Sequence, residues 1–193
     1  IDELHITEPA LPLDNLDANI VCADALFTPW PEVDAIIGNP PFLGSRYLAQ
    51  EHGYKFARKV YGAFPDVPQM ADFCVHWFRL AHDNLKPGCR AGLVGRNSIR
   101  HNESREASLD HIINNAGTIT EAVSSQVWPG DAVVHVSIVN WVKGKETGRK
   151  KLFTQLGDAK DSGWKCEELD FINSSLSAKV DVSQAQTIIA NKK

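Results

Sequence analysis

Val33-Asp-Ala-Ile-Ile-Gly-Asn-Pro-Pro-Phe42 is the stretch of this sequence that predicts its fold. The first five residues are apolar enough for a strand buried on both faces, as strands of parallel sheets are. The two prolines then end the strand, because each fixes its own φ angle and lacks an N–H group. In open α/β sheets, ligands bind beyond the carboxyl ends of such strands. The sequence therefore predicts a binding site at Asn39-Pro40-Pro41-Phe42.

Strand and helix patterns alternate on both sides of this stretch. A short strand is predicted at Asn19–Ala23, and residues 43–68 are predicted to be irregular with at most a short helix around Glu51–Lys59. Residues 69–86 carry apolar side chains at helical spacing, and Lys86-Pro87-Gly88 then stops the predicted helix. The other predicted elements are a strand at Arg90–Gly95, a helix at Glu103–Asn115, strands at Thr118–Val123 and Val133–Val142, a strand near Lys151–Leu156 and a helix from Ser183. This order predicts an α/β sheet whose strands at 118–123 and 133–142 pair antiparallel around residues 128–131.

The composition is that of one globular domain, with 193 residues of which 43% are apolar and 23% charged. No apolar run approaches the roughly 18 residues that span a bilayer, so the sequence predicts no membrane insertion. The four cysteines form no C-x-x-C pair, which argues against a zinc site and a disulfide framework. We therefore expect a reducing, cytoplasmic setting.

The formal net charge of -4 is unevenly distributed along the chain. Residues 1–45 hold eight acids and no Lys or Arg, so the rest of the chain carries 20 cations against 16 acids. These later cations suit a phosphate-bearing partner, and ordinary solvated faces are the alternative interpretation.

The Asn39-Pro-Pro-Phe42 tetrapeptide has the chemistry to hold an amino group for reaction. The Asn39 side-chain oxygen and the Pro40 carbonyl oxygen can accept the two N–H groups of an amide or nucleobase nitrogen and aim its lone pair outward. Phe42 offers a face for a planar ring. A simple turn that ends the strand is the alternative.

Asp24 adds a second polar position 15 residues before Asn39, at the end of the preceding predicted strand. Two such strand ends would share one edge of the sheet. A carboxylate there can accept the exocyclic amine of an adenine-containing cofactor, with Ala25 or Leu26 and Phe27 against the ring. A capping or merely exposed aspartate is the alternative.

Through these residues the chain resembles the amino DNA methyltransferases, which are S-adenosylmethionine-dependent, Rossmann-like class I enzymes that methylate N6 of adenine or N4 of cytosine. The motif order is that of the gamma-type adenine enzymes. The sequences of residues 9–16 and 36–44 are similar to those of single-chain type II restriction-modification proteins. The resemblance covers about residues 9–143. The matching pieces are Cys22–Leu26 as the third motif, Asn39–Phe42 as the catalytic fourth, Asp72–Gly88 as the fifth, Gly92–Ser98 as the sixth and Val127–Pro129 as the eighth.

The resemblance implies direct transfer of a methyl group from S-adenosylmethionine to N6 of an adenine flipped out of double-stranded DNA, without a metal ion. The catalytic residues would be Asn39, Pro40, Pro41 and Phe42. Phe42 would stack on the target base and Trp128 would cover its other side. The alternative role for Trp128 is hydrophobic packing within the hairpin.

The resemblance also implies a cofactor site, and here the chain departs from the family pattern. Asp24, Ala25, Asn39 and Trp77 would bind S-adenosylmethionine, although Trp77 also suits a plain core position. The glycine-rich loop that holds the methionine part of the cofactor, and the acid that holds its ribose, do not precede the third motif. We therefore expect an incomplete cofactor site and a partial sheet that lacks its first two strands.

The same resemblance predicts how the chain is organised. Residues 1–143 would be the catalytic half of a methyltransferase domain, and residues 144–193 a linker and the start of a target-recognition region. The sequence contains neither a recognisable nuclease core nor a full target-recognition domain. We expect both in the remainder of a longer parent chain, and we expect the fragment alone to be inactive.

Two other functions remain open at this point. The N-P-P-[FY] motif also occurs in enzymes that methylate RNA guanine or a protein glutamine, so an RNA or protein N-methyltransferase is one alternative. A non-catalytic α/β domain that binds DNA is the other, supported by the basic run Lys143–Lys151. Salt-dependent DNA binding that needs no cofactor would favour this second alternative.

Overall fold

The computed structural model of the chain describes residues 19–130 and 132–179. Two compact units divide the chain, Ile1–Trp30 and Pro31–Lys193. In the first unit, residues 19–30 form turns, so the strand predicted at Asn19–Ala23 is wrong. Apolar character alone does not make a strand: no strand pairs with these residues in the described part of the chain, and Ile20 and Val21 are each 71% exposed. The predictions at residues 9–16 and from Ser183 onward lie outside the described residues.

Six strands form one sheet in the described part of the second unit. They are β1 (Ala35–Gly38), β2 (Arg90–Arg96), β3 (Gly117–Val127), β4 (His135–Lys143), β5 (Lys150–Gln155) and β6 (Trp164–Leu169). Their order across the sheet is β1-β2-β4-β3-β5-β6. Strand β4 runs antiparallel to both β2 and β3, whereas β1 is parallel to β2 and β5 is parallel to β3. The carboxyl ends of β1, β2, β3 and β5 therefore lie at the same edge of the sheet.

Short helices connect the strands. They are a 3₁₀ turn (Ser45–Tyr47), α1 (Leu48–His52), α2 (Tyr54–Ala63), α3 (Val75–Asn84), a second 3₁₀ turn (Asn97–Arg100), α4 (Asn102–Arg105), a π-helical turn (Glu106–Asp110) and α5 (His111–Asn114). Gly53 separates α1 from α2 with a φ of +84°, a conformation that glycine adopts without strain.

The core of the second unit is built on the contact of α3 with the sheet. Phe78 of α3 and Trp141 of β4 are fully buried, and their rings stack with centroids 5.8 Å apart. Gly95 of β2 makes room for this packing, since a Cβ atom there would lie 3.0 Å from the Phe78 ring and 2.7 Å from Ile99. The helix is thereby fixed over the carboxyl-terminal half of β2.

The α/β character and the antiparallel pairing of β3 with β4 are confirmed. So are strand β2 and the helix over residues 102–114, although a π-helical turn interrupts that helix. The strand expected near Lys151–Leu156 is β5, and it continues the sheet beside β3. Strand β6 was not predicted, because its sequence Trp-Lys-Cys-Glu-Glu-Leu lacks a regular alternation of apolar residues.

Three local predictions were wrong. Residues 43–68 are largely helical, since Ala57 and Val60 give α2 a buried face that the surrounding glycines obscured. Helix α3 begins only at Val75, because the residues before the helix form turns instead. The Asp72 side chain takes part in one of these turns by accepting the N–H of Cys74. Strand β1 is not buried on both faces: Ile37 is 88% exposed, and among the described residues β1 lies at the edge of the sheet with a paired strand on one side only.

Candidate active site

The Asn39-Pro40-Pro41-Phe42 loop directly follows β1, as the sequence predicts. Asn39 and Pro41 are exposed, Pro40 is buried and Phe42 is half-buried. Pro40 therefore fixes the loop to the body of the unit while the Asn39 side chain projects from it. The arrangement suits a side chain that must meet a ligand.

The loop is held in place by the segment before α3 and by the end of β2. The Phe73 N–H group donates a hydrogen bond to the Leu43 carbonyl oxygen at 2.9 Å. Beside it, the Nη1 atom of Arg96 lies 3.9 Å from the position that a Cβ atom would take at Gly44. Strands β1 and β2 are parallel, so their carboxyl ends lie at the same edge of the sheet. The Arg96 side chain at the end of β2 and the loop after β1 are therefore at that edge together.

Asp72 is the buried charge of this site, at 4% exposure. Its Oδ1 atom accepts the N–H of Cys74 at 3.2 Å, and its own N–H donates to the Ser104 hydroxyl at 2.9 Å. Its Oδ2 atom lies 3.8 Å from the Arg96 guanidinium. These contacts satisfy a carboxylate that burial would otherwise penalise. Asp72 begins the Asp72–Gly88 motif, but no site role was predicted for it, although an acid within an apolar helical pattern was the available signal.

Cys74 lies next to this carboxylate and is fully buried. Burial, with the negative charge of Asp72 beside it, raises the pKa of the Cys74 thiol well above its ordinary value. The thiol therefore stays protonated at neutral pH, and only a thiolate is an effective nucleophile. Cys74 is a packing residue of this site.

Asp24 lies in the first unit, within a local turn. Its Oδ1 atom accepts the Leu26 N–H at 3.0 Å, and its carbonyl oxygen accepts the Phe27 N–H at 3.1 Å. The Ala25 carbonyl oxygen accepts the indole N–H of Trp30 at 2.8 Å. Asp24 is thus exposed, as one alternative held, and its side chain caps a turn and not a helix. Cofactor binding by Asp24 and Ala25 stays a prediction.

The two tryptophans occupy different places in the second unit. Trp77 lies on α3, half-buried, with its ring edge-on to Phe73 at 4.9 Å between centroids. Trp128 follows β3, which shares its direction with β1, so Trp128 and the Asn39 loop lie toward the same edge of the sheet. Its ring is half-buried against Gly130, where a Cβ atom would lie 2.7 Å from Nε1. The roles predicted for both residues stay predictions.

Two further properties of the described residues bear on the kind of site. Within them, no three His, Cys, Asp or Glu side chains are grouped so that they could hold a metal ion. No helix among them has the length and apolar character needed to cross a membrane.

Together, the mixed sheet and the Asn-Pro-Pro-Phe loop at its carboxyl edge define an α/β protein of the methyltransferase class. Residues 2–154 match the family model described as MmeI, DNA-methyltransferase domain. The chain therefore belongs to this family, and its sequence resemblance to the methyltransferases of restriction-modification systems is confirmed.

One solved structure supports the same fold. The chain is similar to the type IIL restriction-modification enzyme MmeI, solved in complex with DNA, with a TM-score of 0.64 and 20% identity over 77% of this chain and 20% of that one. A weaker likeness is to the type IIG restriction endonuclease BpuSI, with a TM-score of 0.47 and 12% identity over 71% of this chain and 19% of that one. The chain thus spans about a fifth of the length of either structure. The search of curated proteins returned no match.

Proposed function

We propose that this chain supplies the catalytic loop for S-adenosylmethionine-dependent methylation of N6 of adenine in double-stranded DNA. The observation that carries the proposal is the loop after β1, which exposes Asn39, buries Pro40 and is anchored through Leu43. Membership of a DNA-methyltransferase family supports DNA as the substrate. The proposal includes a cytoplasmic location and a longer parent chain that supplies nuclease and target-recognition domains.

The chemistry asked of the loop is orientation. The amino nitrogen of adenine is a weak nucleophile because its lone pair is delocalised into the ring. Acceptance of its two N–H groups by the Asn39 side-chain oxygen and the Pro40 carbonyl oxygen would turn the lone pair away from the loop. As the nitrogen bonds the methyl carbon, the bond from that carbon to the sulfonium sulfur would break with its electron pair left on sulfur, giving S-adenosylhomocysteine. The methylated nitrogen would then release a proton to solvent, since neither acceptor is a base.

The aromatic residues would hold the base outside the helix. An enzyme cannot reach N6 while the base is stacked in the duplex, so the adenine must be flipped out. Phe42 would stack on one face of the base and Trp128 would cover the other side, and each such contact contributes about 1–3 kcal/mol.

The cofactor would bind on residues that fit it in part. The exposed Asp24 carboxylate can accept an adenine amine, and the half-buried Trp77 offers an aromatic surface. Ala25 and Asn39 would complete this part of the site. When bound, S-adenosylmethionine supplies an electrophilic methyl group. No glycine-rich loop for its methionine part precedes Asp24 in this sequence, so the residues named here would make only part of a cofactor site.

The test is methyl transfer from labelled S-adenosylmethionine to duplex DNA by the intact parent protein. We expect the label on N6 of adenine, and we expect Asn39→Ala to lower the rate by about 100-fold or more, because one oriented hydrogen-bonding group is worth that much. Asn84→Ala is the matched control, since Asn84 is an exposed asparagine on α3 that bonds only its own helix in the described residues. It should keep the wild-type rate.

Other products would decide against this proposal. Label on N4 of cytosine would exclude adenine as the target, and label on RNA or on a protein glutamine would favour the corresponding N-methyltransferase. Full activity of Asn39→Ala would remove the catalytic role of the loop.

A further inference from the structure

The helical segment that follows the Asn39 loop carries a concentrated positive charge. Residues 43–64 contain four Lys and Arg residues and one acid, Glu51. All four cations are exposed, and the exposed aromatic side chains of Tyr47 and Tyr54 lie among them. We call this the α1–α2 surface; its residues are Arg46, Tyr47, Tyr54, Lys55, Arg58 and Lys59.

The cations at the centre of this surface are available to a partner. Among the described residues, neither Lys55 nor Arg58 has a salt bridge with an acid. The Arg46 guanidinium lies over the Tyr47 ring at 5.0 Å, an arrangement that leaves its charge at the surface. An open cleft of about 440 Å³ is lined by the side chains of His52, Lys55, Phe56 and Lys59.

The α1–α2 surface is tied to the candidate active site by a chain of aromatic contacts. The ring centroids of His52 and Phe56 are 5.1 Å apart, and those of Phe56 and Phe73 are 6.2 Å apart. The Phe73 N–H group in turn holds the Leu43 carbonyl oxygen directly after the Asn39 loop. The charged surface and the loop therefore belong to one packed assembly.

The other basic cluster in the chain, Lys143–Lys151, is engaged within the protein. Lys143 donates to the His82 carbonyl oxygen at 2.8 Å, and Arg149 pairs with Asp170 at 2.7 Å. Lys150 is 3% exposed and donates to two backbone carbonyl oxygens. Of the cations in this run, only Lys145 and Lys151 are exposed and outside these contacts, so the run is less suited to binding phosphate than its sequence indicates.

We propose that the α1–α2 surface binds the phosphate backbone of double-stranded DNA beside the base held by the Asn39 loop. Exposed cations interleaved with aromatic rings are complementary to a nucleic-acid backbone, whose charge dominates binding. The proposal rests on the proposed function insofar as it takes DNA as the substrate, but it concerns binding and is tested without catalysis.

The test is the salt dependence of duplex DNA binding by the intact parent protein, measured by fluorescence anisotropy without cofactor. The slope of log K against log salt concentration is negative, and each lost phosphate contact reduces its magnitude by about 0.9. We expect the double variant Lys55→Gln/Arg58→Gln to lower it by about 1.8. Between about 50 and 200 mM salt, the affinity of the wild type should then fall roughly tenfold more than that of the variant.

The matched control is Lys145→Gln/Lys151→Gln, which removes the same charge from two exposed lysines and should keep the wild-type slope. Lys145 follows the carboxyl end of β4 and Lys151 is near the amino end of β5, so both lie at the edge of the sheet opposite to the Asn39 loop. The proposal is overturned if the α1–α2 variant keeps the wild-type slope or if both variants lose it equally. Lys55→Gln alone, with an expected change of about 0.9, guards against misfolding of the double variant.

Failure of this proposal and failure of the proposed function give different results. Asn39→Ala removes no charge, so it should keep the wild-type slope even when methyl transfer is lost. An unchanged slope in Lys55→Gln/Arg58→Gln with normal adenine methylation overturns the α1–α2 surface alone. Stronger binding of duplex RNA than of duplex DNA, with the same loss in the variant, overturns DNA as the partner of this surface.

Discussion

Asp72 shows how one buried carboxylate joins segments that are distant in the sequence. It contacts Ser104 and lies beside Arg96, while Phe73, the next residue, holds the backbone that follows the Asn39 loop. The sequence could identify the Asn-Pro-Pro-Phe motif because its chemistry lies within four consecutive residues. It could not identify the contact of Asp72 with Arg96, which exists only after β2 and the start of α3 have come together.

We expect Asp72→Ala to lower the free energy of unfolding by about 1–3 kcal/mol, because it leaves the buried N–H of Cys74 without its acceptor. Asp72→Asn should cost less, since an amide oxygen can take the same hydrogen bond. Urea unfolding of the protein measures both. Asp170→Ala is the control: Asp170 and its partner Arg149 are both exposed, and loss of this pair should cost no more than about 1 kcal/mol. Equal losses for Asp170→Ala and Asp72→Ala would contradict this account.

Two buried histidines make the stability of the second unit depend on pH. Burial lowers the pKa of His76 and of His82 below the ordinary value of 6.5. For His82, Lys143 and His111 lower the pKa further, while its hydrogen bond to the Asn115 carbonyl oxygen and the charge of Asp83 oppose the shift. Both rings are therefore neutral in the folded chain at a pH at which they are protonated in the unfolded chain.

The unfolded chain thus binds more protons as the pH falls below about 6.5, and the free energy of unfolding should fall with it. Each histidine contributes at most about 1.4 kcal/mol per pH unit in that range. Urea unfolding of wild type and His82→Gln at about pH 8 and pH 5.5 tests this. At the higher pH, the difference in free energy of unfolding between wild type and variant reports the packing that the substitution removes. At the lower pH, the free energy of unfolding of the variant should approach that of wild type. A difference that stays constant would exclude His82 as a source of the pH dependence.

At the scale of the elements, two glycines that look alike in the sequence have opposite environments. At Gly117, which begins β3, a Cβ atom would lie 2.5 Å from the Ile112 backbone oxygen, which cannot move aside. At Gly62, in α2, a Cβ atom would meet nothing within 4 Å. The first glycine is required by the close approach of α5 to β3, and the second is not.

We therefore expect Gly117→Ala to destabilise the protein by about 1–3 kcal/mol through overpacking. Gly62→Ala should stabilise it by about 0.5–1 kcal/mol, because alanine is the better helix former. Thermal unfolding of the two variants under identical conditions measures both effects. Loss of stability in both variants would mean that α2 does not tolerate the added methyl group.

The elements that the sequence predicted well are those whose burial follows from a local pattern. Residues 90–95 and the second half of the predicted helix at 69–86 are examples. The helix ends at Asn84, and Gly88 has a φ of +86° in the turn that follows it. The prediction failed at Ile20, Val21 and Ile37, which are apolar but exposed. Burial there depends on neighbouring strands, and a single sequence does not say which neighbours a strand has.

At the scale of the whole sheet, the strand directions explain why a site can form at all. Strands β1, β2 and β3 run the same way, so the Asn39 loop, Arg96 and Trp128 follow their carboxyl ends toward one edge. The sequence predicted this edge from the Asn-Pro-Pro-Phe motif and the alternation of elements. No local sequence pattern predicts that β4 lies between β2 and β3. This position depends on the pairing of β2 with β4, and the whole of β3 separates these two strands in the chain.

This strand order has a consequence for how the protein is made. A ribosome delivers β2 and β3 before β4, yet neither gains its central partner until residues 135–143 have emerged. Until then β2 has only the short β1 beside it in the described residues, and its other edge stays open. The β3–β4 hairpin can close locally as soon as it is synthesised, and β2 can dock on it afterwards. A nascent chain stalled before residue 143 should therefore recruit chaperones, and synonymous codons that slow translation just after β4 should favour productive folding.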